Sequence, residues 1–187
     1  MHSIRESMPA VACTRSVVDR VLLLRVLLGL AITGMLLFWL MGGVDSSPTE
    51  SLIQAVVGMK DGFNDQDAGD VLVHCSRDFH ETVYFLDAAS FRGALLRIFL
   101  SQRDGSDGSF IWQALVDENE IQIELDSTEE EARSATVSAP IRFVRRKNPS
   151  TKPAWILRID GMARREEDGT WRFFQATFKT ISGRMPF

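Results

Sequence analysis

The apolar positions of this chain follow three patterns in succession. From Val21 to Met41 they form one run in which Arg25 is the only charge. From Leu52 to Phe99 they recur at helical spacing, and from Ile121 onward they alternate with polar residues as strands do. The run predicts a single membrane span: twenty-one residues at about 1.5 Å each reach roughly 31 Å, and the hydrocarbon core of a bilayer is about 30 Å thick. Nine leucines between Leu22 and Leu40 favour insertion by about 3–5 kcal/mol. Arg25 lies near one end, where its guanidinium reaches the headgroups, so it costs less than the about 2.5–3.5 kcal/mol of a central arginine.

Gly42 to Ser47 reads as a short flexible linker. Ser47-Pro48-Thr49-Glu50 then carries a helix-start signal: a capping serine, proline at the first helical position, and glutamate three residues after the cap. Leu52, Ile53, Val56, Val57 and Phe63 give that helix one apolar stripe. Asn64 to Asp67 breaks it, and Asp67 caps a second helix expected to carry Val71, Leu72 and Cys75. Asp87 caps a third, with Phe91, Leu95, Ile98 and Phe99 on one face, and Arg103 to Ser109 is the loop that stops it.

Strand patterns follow. Ile121, Ile123 and Leu125 alternate with polar residues, as do Ala135, Val137, Ala139, Ile141 and Phe143. Pro140 demotes this second segment to an edge strand or marks a bulge, because proline cannot donate to a ladder. Asn148 to Pro153 is a turn, and a long strand is predicted from Trp155 to about Arg165. Asp168-Gly169 closes a hairpin that returns through Trp171 to Lys179. Helices first and antiparallel strands after define an α+β arrangement, with the helices covering one face of a curved sheet.

Charge orients the expected span. Arg5, Arg15, Arg20 and Arg25 lie on or near its N-terminal flank, whereas Asp45 and Glu50 follow it and no basic residue comes before Lys60. Basic flanks stay on the cytoplasmic side. The expected layout is a cytoplasmic tail (1–20), a transmembrane helix (21–43), a linker (44–49) and a periplasmic or extracellular domain (50–187). A cleaved signal peptide competes with the anchor, with Val44 and Ser46 as a weak cleavage site. Length and the lack of an A-x-A pattern favour the anchor.

Four of the 21 basic and two of the 25 acidic residues precede Val44, so the remaining 144 residues carry a net charge of −6. Such a domain is a poor nucleic-acid binder, and its one basic cluster, Arg145-Arg146-Lys147, reads as the cap of a solvated hairpin. Cys13 and Cys75 fall on opposite sides of the expected membrane, so no intrachain disulfide is expected and Cys75 reads as a buried apolar thiol.

Two segments carry a family resemblance. Phe63-Asn64-Asp65-Gln66-Asp67-Ala68-Gly69-Asp70-Val71-Leu72, continuing to Arg77-Asp78-Phe79, resembles the opening helix pair of nuclear transport factor 2-like (NTF2-like) domains, the SnoaL-like group included. Glu167-Asp168-Gly169-Thr170-Trp171-Arg172-Phe173 is similar to the last hairpin of that superfamily. The resemblance implies a cone: a strongly bent antiparallel sheet wrapped around the first helix, with a pocket at the wide end. The superfamily includes isomerases, cyclases, dehydratases and assembly scaffolds, so fold alone does not choose the function.

An enzyme of this fold places an acid–base pair inside the cone. The candidate catalytic residues are Asp78, Tyr84 and Asp160, and the candidate ligand-binding residues are His80 and Arg158. Arg158 and Asp160 share one sheet face. If that face is concave, the pair is poised for an anion; if convex, it is an ordinary surface contact worth under about 1 kcal/mol. His80 has no partner at metal-ligand spacing, and no glycine-rich phosphate loop is present, so neither a metal nor another cofactor is expected. Phe174, Ala176 and Phe178 read as a second apolar face on the last strand, one that needs a cover. Phe174 and Phe178 are therefore the expected interface, either with a second copy of the chain or with a membrane protein partner. The expected function is a membrane-anchored binding or assembly module, and the alternative is a small-molecule enzyme of isomerase, cyclase or dehydratase type.

Overall fold

A computed structural model describes residues 46–149 and 152–187. The anchor expected at Val21–Met41, its flanking arginines and Cys13 lie outside the described residues. Among the described residues no helix is long and apolar enough to cross a membrane.

Helix α1 (Pro48–Asp65) starts where its signal predicts: the Ser47 hydroxyl accepts from the Glu50 N–H at 3.2 Å, with Pro48 at the start of the first turn. Its face of Leu52, Ala55, Val56 and Phe63 is buried, at roughly 1.5–3 kcal/mol for each large side chain. It ends in a left-handed cap at Gln66, whose N–H donates to Phe63, while the Asp67 N–H donates to Gly62. Gly62 is needed there, because a Cβ on it would come within 2.8 Å of the Val71 backbone nitrogen. This close approach lets α2 (Ala68–Leu72), capped by Asp67, fold back on α1. Asp87 caps α3 (Ala88–Ser101) by accepting from the Ser90 N–H at 2.7 Å.

Six strands form one curved, unclosed sheet in the order β1 (Cys75–Glu81), β6 (Trp171–Gly183), β5 (Trp155–Arg165), β4 (Ser134–Arg145), β2 (Trp112–Leu115), with β3 (Gln122–Leu125) also on β4. Only the β1–β6 pairing is parallel. A 3₁₀ turn (Glu118–Glu120) links β2 to β3. The helices lie on the sheet, and the core forms two clusters. One joins Leu52, Val56, Phe79, Val137, Trp171 and Phe173. The other joins Phe63, Leu95, Phe99, Phe110, Phe143 and Trp155, with edge-on ring contacts around Phe63.

Three expectations are corrected here. Cys75 begins β1 instead of continuing the second helix, which stops at Leu72; it is nonetheless buried, and burial pushes its thiol up to about 12. Pro140 is not on an edge strand. β4 pairs with β5 along one side, and on the other with β3 through residues 135–138 and with β2 through residues 142–145. Phe143 accepts from Ala154 across the β5 side, so alternation turns residue 140 the other way, into the gap between β3 and β2 where no donor is needed. Finally, the apolar face expected at Phe174, Ala176 and Phe178 is divided. Between Met162 and Ala163 the register on β6 advances by two residues, so Phe174 bulges and reverses the alternation after it. Ala176 and Phe178 thereby join Phe173 on the core side.

Candidate functional site

Between the helices and the inner sheet face lies a cavity of about 510 Å³, within the roughly 300–1,000 Å³ range of small-molecule sites. Strand alternation supplies its floor. Trp155, Leu157 and Ile159 point inward from β5, Ile141 and Phe143 from β4, and Phe178 from β6. Its roof comes from Met59 and Phe63 of α1, Val71 of α2, and Phe91, Leu95 and Ile98 of α3. The C-terminal segment closes one side, with Phe187 packed edge-on against Phe143 and Trp155. The Trp155 indole N–H is satisfied outside the cavity by the Thr180 hydroxyl at 3.0 Å. The charged or hydroxyl-bearing residues of the lining are Lys60, Arg97 and Tyr84; Arg97 and Tyr84 are exposed where the cavity meets solvent.

The loop between β1 and α3 borders this opening through Tyr84 and Leu86, and it is held by Glu81. Glu81 is 1% exposed. Its carboxyl oxygens accept from the backbone N–H groups of Val83 at 2.8 Å and Tyr84 at 2.6 Å, with Phe178 N–H a longer contact at 3.4 Å. The Glu81 N–H donates to the Leu86 carbonyl at 2.7 Å, closing the loop at its base. Phe85, at the tip, has φ of +57° and is 88% exposed. Sequence reasoning missed Glu81. The available signal was an acidic residue two positions after Phe79, on the inward side of a strand.

The residues singled out from the sequence do not come together. Asp78 projects from the outer face into a bidentate pair with Arg164, at 2.6 and 2.9 Å, and accepts from the Ser76 hydroxyl. The Arg164 and Ser76 hydrogen bonds hold its carboxyl down to about 2. Arg164 also lies over the Phe174 ring at 5.4 Å, so Phe174 contributes to this outer cluster and Phe178 to the cavity wall. Arg158 and Asp160 occupy the face opposite Leu157 and Ile159, away from the cavity. Burial pushes Asp160 up, but hydrogen bonds from Lys179 and Ser138 and the nearby Arg158 outweigh it, and the carboxyl sits below its ordinary range. His80 is exposed beside Gln175, and of the five only Tyr84 reaches the cavity. Among the described residues no three His, Cys, Asp or Glu side chains are grouped to hold a metal ion. The basic cluster is consumed locally: Arg145 covers the Trp112 ring, Arg146 donates to the Asn64 carbonyl, and Lys147 pairs with Asp104 and Asp107.

No protein-family model and no curated protein matches the chain. Solved structures do. A cystatin-like-fold protein of unknown function from Nostoc punctiforme superposes with a TM-score of 0.55 at 10% identity, covering 73% of this chain and 92% of the other. An NTF2-like protein with a cystatin-like fold from Novosphingobium aromaticivorans gives 0.54 at 12% identity, covering 72% and 82%. ActVI-ORFA from Streptomyces coelicolor gives 0.51 at 11% identity, covering 70% and 95%. At such identities the likeness establishes the fold alone. The folded unit therefore has the NTF2-like, cystatin-like α+β fold that the two sequence segments imply.

Proposed function

We propose that this chain is a binding module whose cone encloses an apolar small molecule, tethered to a membrane by Val21–Met41 with its N-terminus in the cytoplasm. The observation that carries this reading is the character of the lining: aliphatic and aromatic side chains from all three helices and four strands, with cations and a hydroxyl as its polar groups. Acid–base catalysis is the weaker reading, because the candidates Asp78 and Asp160 stand outside that lining and are already engaged by Arg164 and Lys179.

The test is titration with N-phenyl-1-naphthylamine, a neutral dye that brightens in apolar sites. One saturable site is expected, and Ala94→Trp, which fills the cavity from α3, abolishes it. Failure to saturate, or unchanged binding in the Ala94→Trp variant, refutes the reading.

A further inference from the structure

We propose that the natural occupant is a single-chain amphiphile, an aliphatic tail ending in an anionic group, with the tail in the cone and the head at Lys60 and Arg97. This inference rests on the apolar-cavity reading and adds the chemistry of the ligand. Its basis is the sign of the charge in the cavity lining. Both charged residues of the lining are cations, although the chain as a whole carries a net charge of −4. Lys60 comes from α1 and Arg97 from α3, two separate helices that meet the same cavity. Lys60 has a carboxylate neighbour, Asp61 at 2.6 Å, but Arg97 has no ion-pair partner among the described residues.

A guanidinium with free donors beside an apolar chamber matches a ligand with a greasy body and a negative end. Tyr84 adds a phenol to the same lining, 48% exposed and therefore wet enough to donate without being buried unpaired. A neutral hydrocarbon satisfies the chamber but leaves Arg97 unused, and a cationic amphiphile is repelled by the cations of the lining. The depth of the chamber suits a tail, because its floor is built by consecutive inward residues of β5, Trp155, Leu157 and Ile159, which span two residue pairs along the strand.

Trp155, in the cavity wall, supplies the readout. Full-length chain in zwitterionic lipid nanodiscs is titrated with 8-bromooctanoate, 8-bromooctan-1-ol and 8-bromooctylamine. Bromine quenches a nearby indole, and Trp155→Phe defines the part of the signal that comes from the cavity. The acid is expected to bind about tenfold more tightly than the alcohol, the scale of one charged hydrogen bond at a half-exposed site, and the amine more weakly than either. Arg97→Gln combined with Lys60→Gln removes the acid's advantage over the alcohol. Equal affinities for acid and alcohol, or an acid preference that survives the double substitution, overturn the inference while leaving the apolar-site reading intact. Absence of Trp155-dependent quenching by all three overturns both. An octyl phosphate that binds as well as the acid supports the general anionic head stated here.

Discussion

Glu81→Leu tests how the opening of the cone is held. The substitution keeps an apolar volume in a 1% exposed position but removes both oxygens that accept from Val83 and Tyr84. Each part-buried donor left without a partner costs about 1–3 kcal/mol. Two such donors, with about 1 kcal/mol returned by burying leucine, give a net loss of about 1–5 kcal/mol against a typical stability of about 5–15 kcal/mol. Residues 46–187 form one compact unit with its own core, so urea unfolding of that unit is the appropriate assay. At the middle of these ranges, a loss of about 3 kcal/mol over a slope of about 2 kcal/mol per M, the midpoint falls by about 1.5 M. Glu81→Gln keeps one acceptor oxygen but presents an amide N–H to a neighbouring donor, and its midpoint falls between those of wild type and Glu81→Leu. Because Tyr84 and Leu86 border the cavity, Glu81→Leu also weakens N-phenyl-1-naphthylamine binding. A Glu81→Leu midpoint indistinguishable from wild type, with dye binding intact, refutes the idea that this carboxyl anchors the loop.

Two further outcomes concern groups whose protonation is displaced. Asp78 is held down to about 2 by Arg164 and Ser76, below the about 3.9 of a free aspartate, so the pair's stabilisation is fully present above about pH 4 and is lost as pH falls toward 2. The urea midpoint of Asp78→Asn should therefore lie below wild type at pH 7 and converge with it near pH 2; a constant gap contradicts the pairing. Burial raises the Cys75 thiol to about 12, so in residues 46–187, where it is the only cysteine, a thiol reagent at pH 8 should label it only as fast as the unit opens. Immediate labelling of the native protein contradicts the buried placement.

Elements fixed by local chemistry were readable from sequence. Ser47, Asp67 and Asp87 are caps because each offers a short oxygen to free amides one turn ahead, and this depends on neighbours alone. The alternation of Trp155 to Arg165 marked β5 at both ends because one of its faces is the core. Strands β1 and β2 escaped notice for physical reasons. In β1 the inward set is Cys75, Phe79 and Glu81, interrupted by a buried Ser76, so no clean alternation exists to detect. β2 has only four residues, and its outer edge is held by Asn64, whose side-chain amide exchanges hydrogen bonds with Ala114 at 2.8 and 2.9 Å; this long-range pairing has no local signature. The bulge at Phe174 reversed the faces of the residues from Gln175 to Thr180, which moved Phe178 from an expected interface into the cavity wall. The cavity itself draws on seven elements and two irregular segments, so no stretch of sequence announces it.

The most direct measurement is a crystal structure of the protein grown with N-phenyl-1-naphthylamine. The account predicts density for the dye inside the cone, between Ile98 of α3 and Leu157 of β5, with Asp78 still paired to Arg164 on the outer face. A cone closed by inward rotation of Phe91 and Phe178, or dye bound only on the outer sheet face, contradicts it.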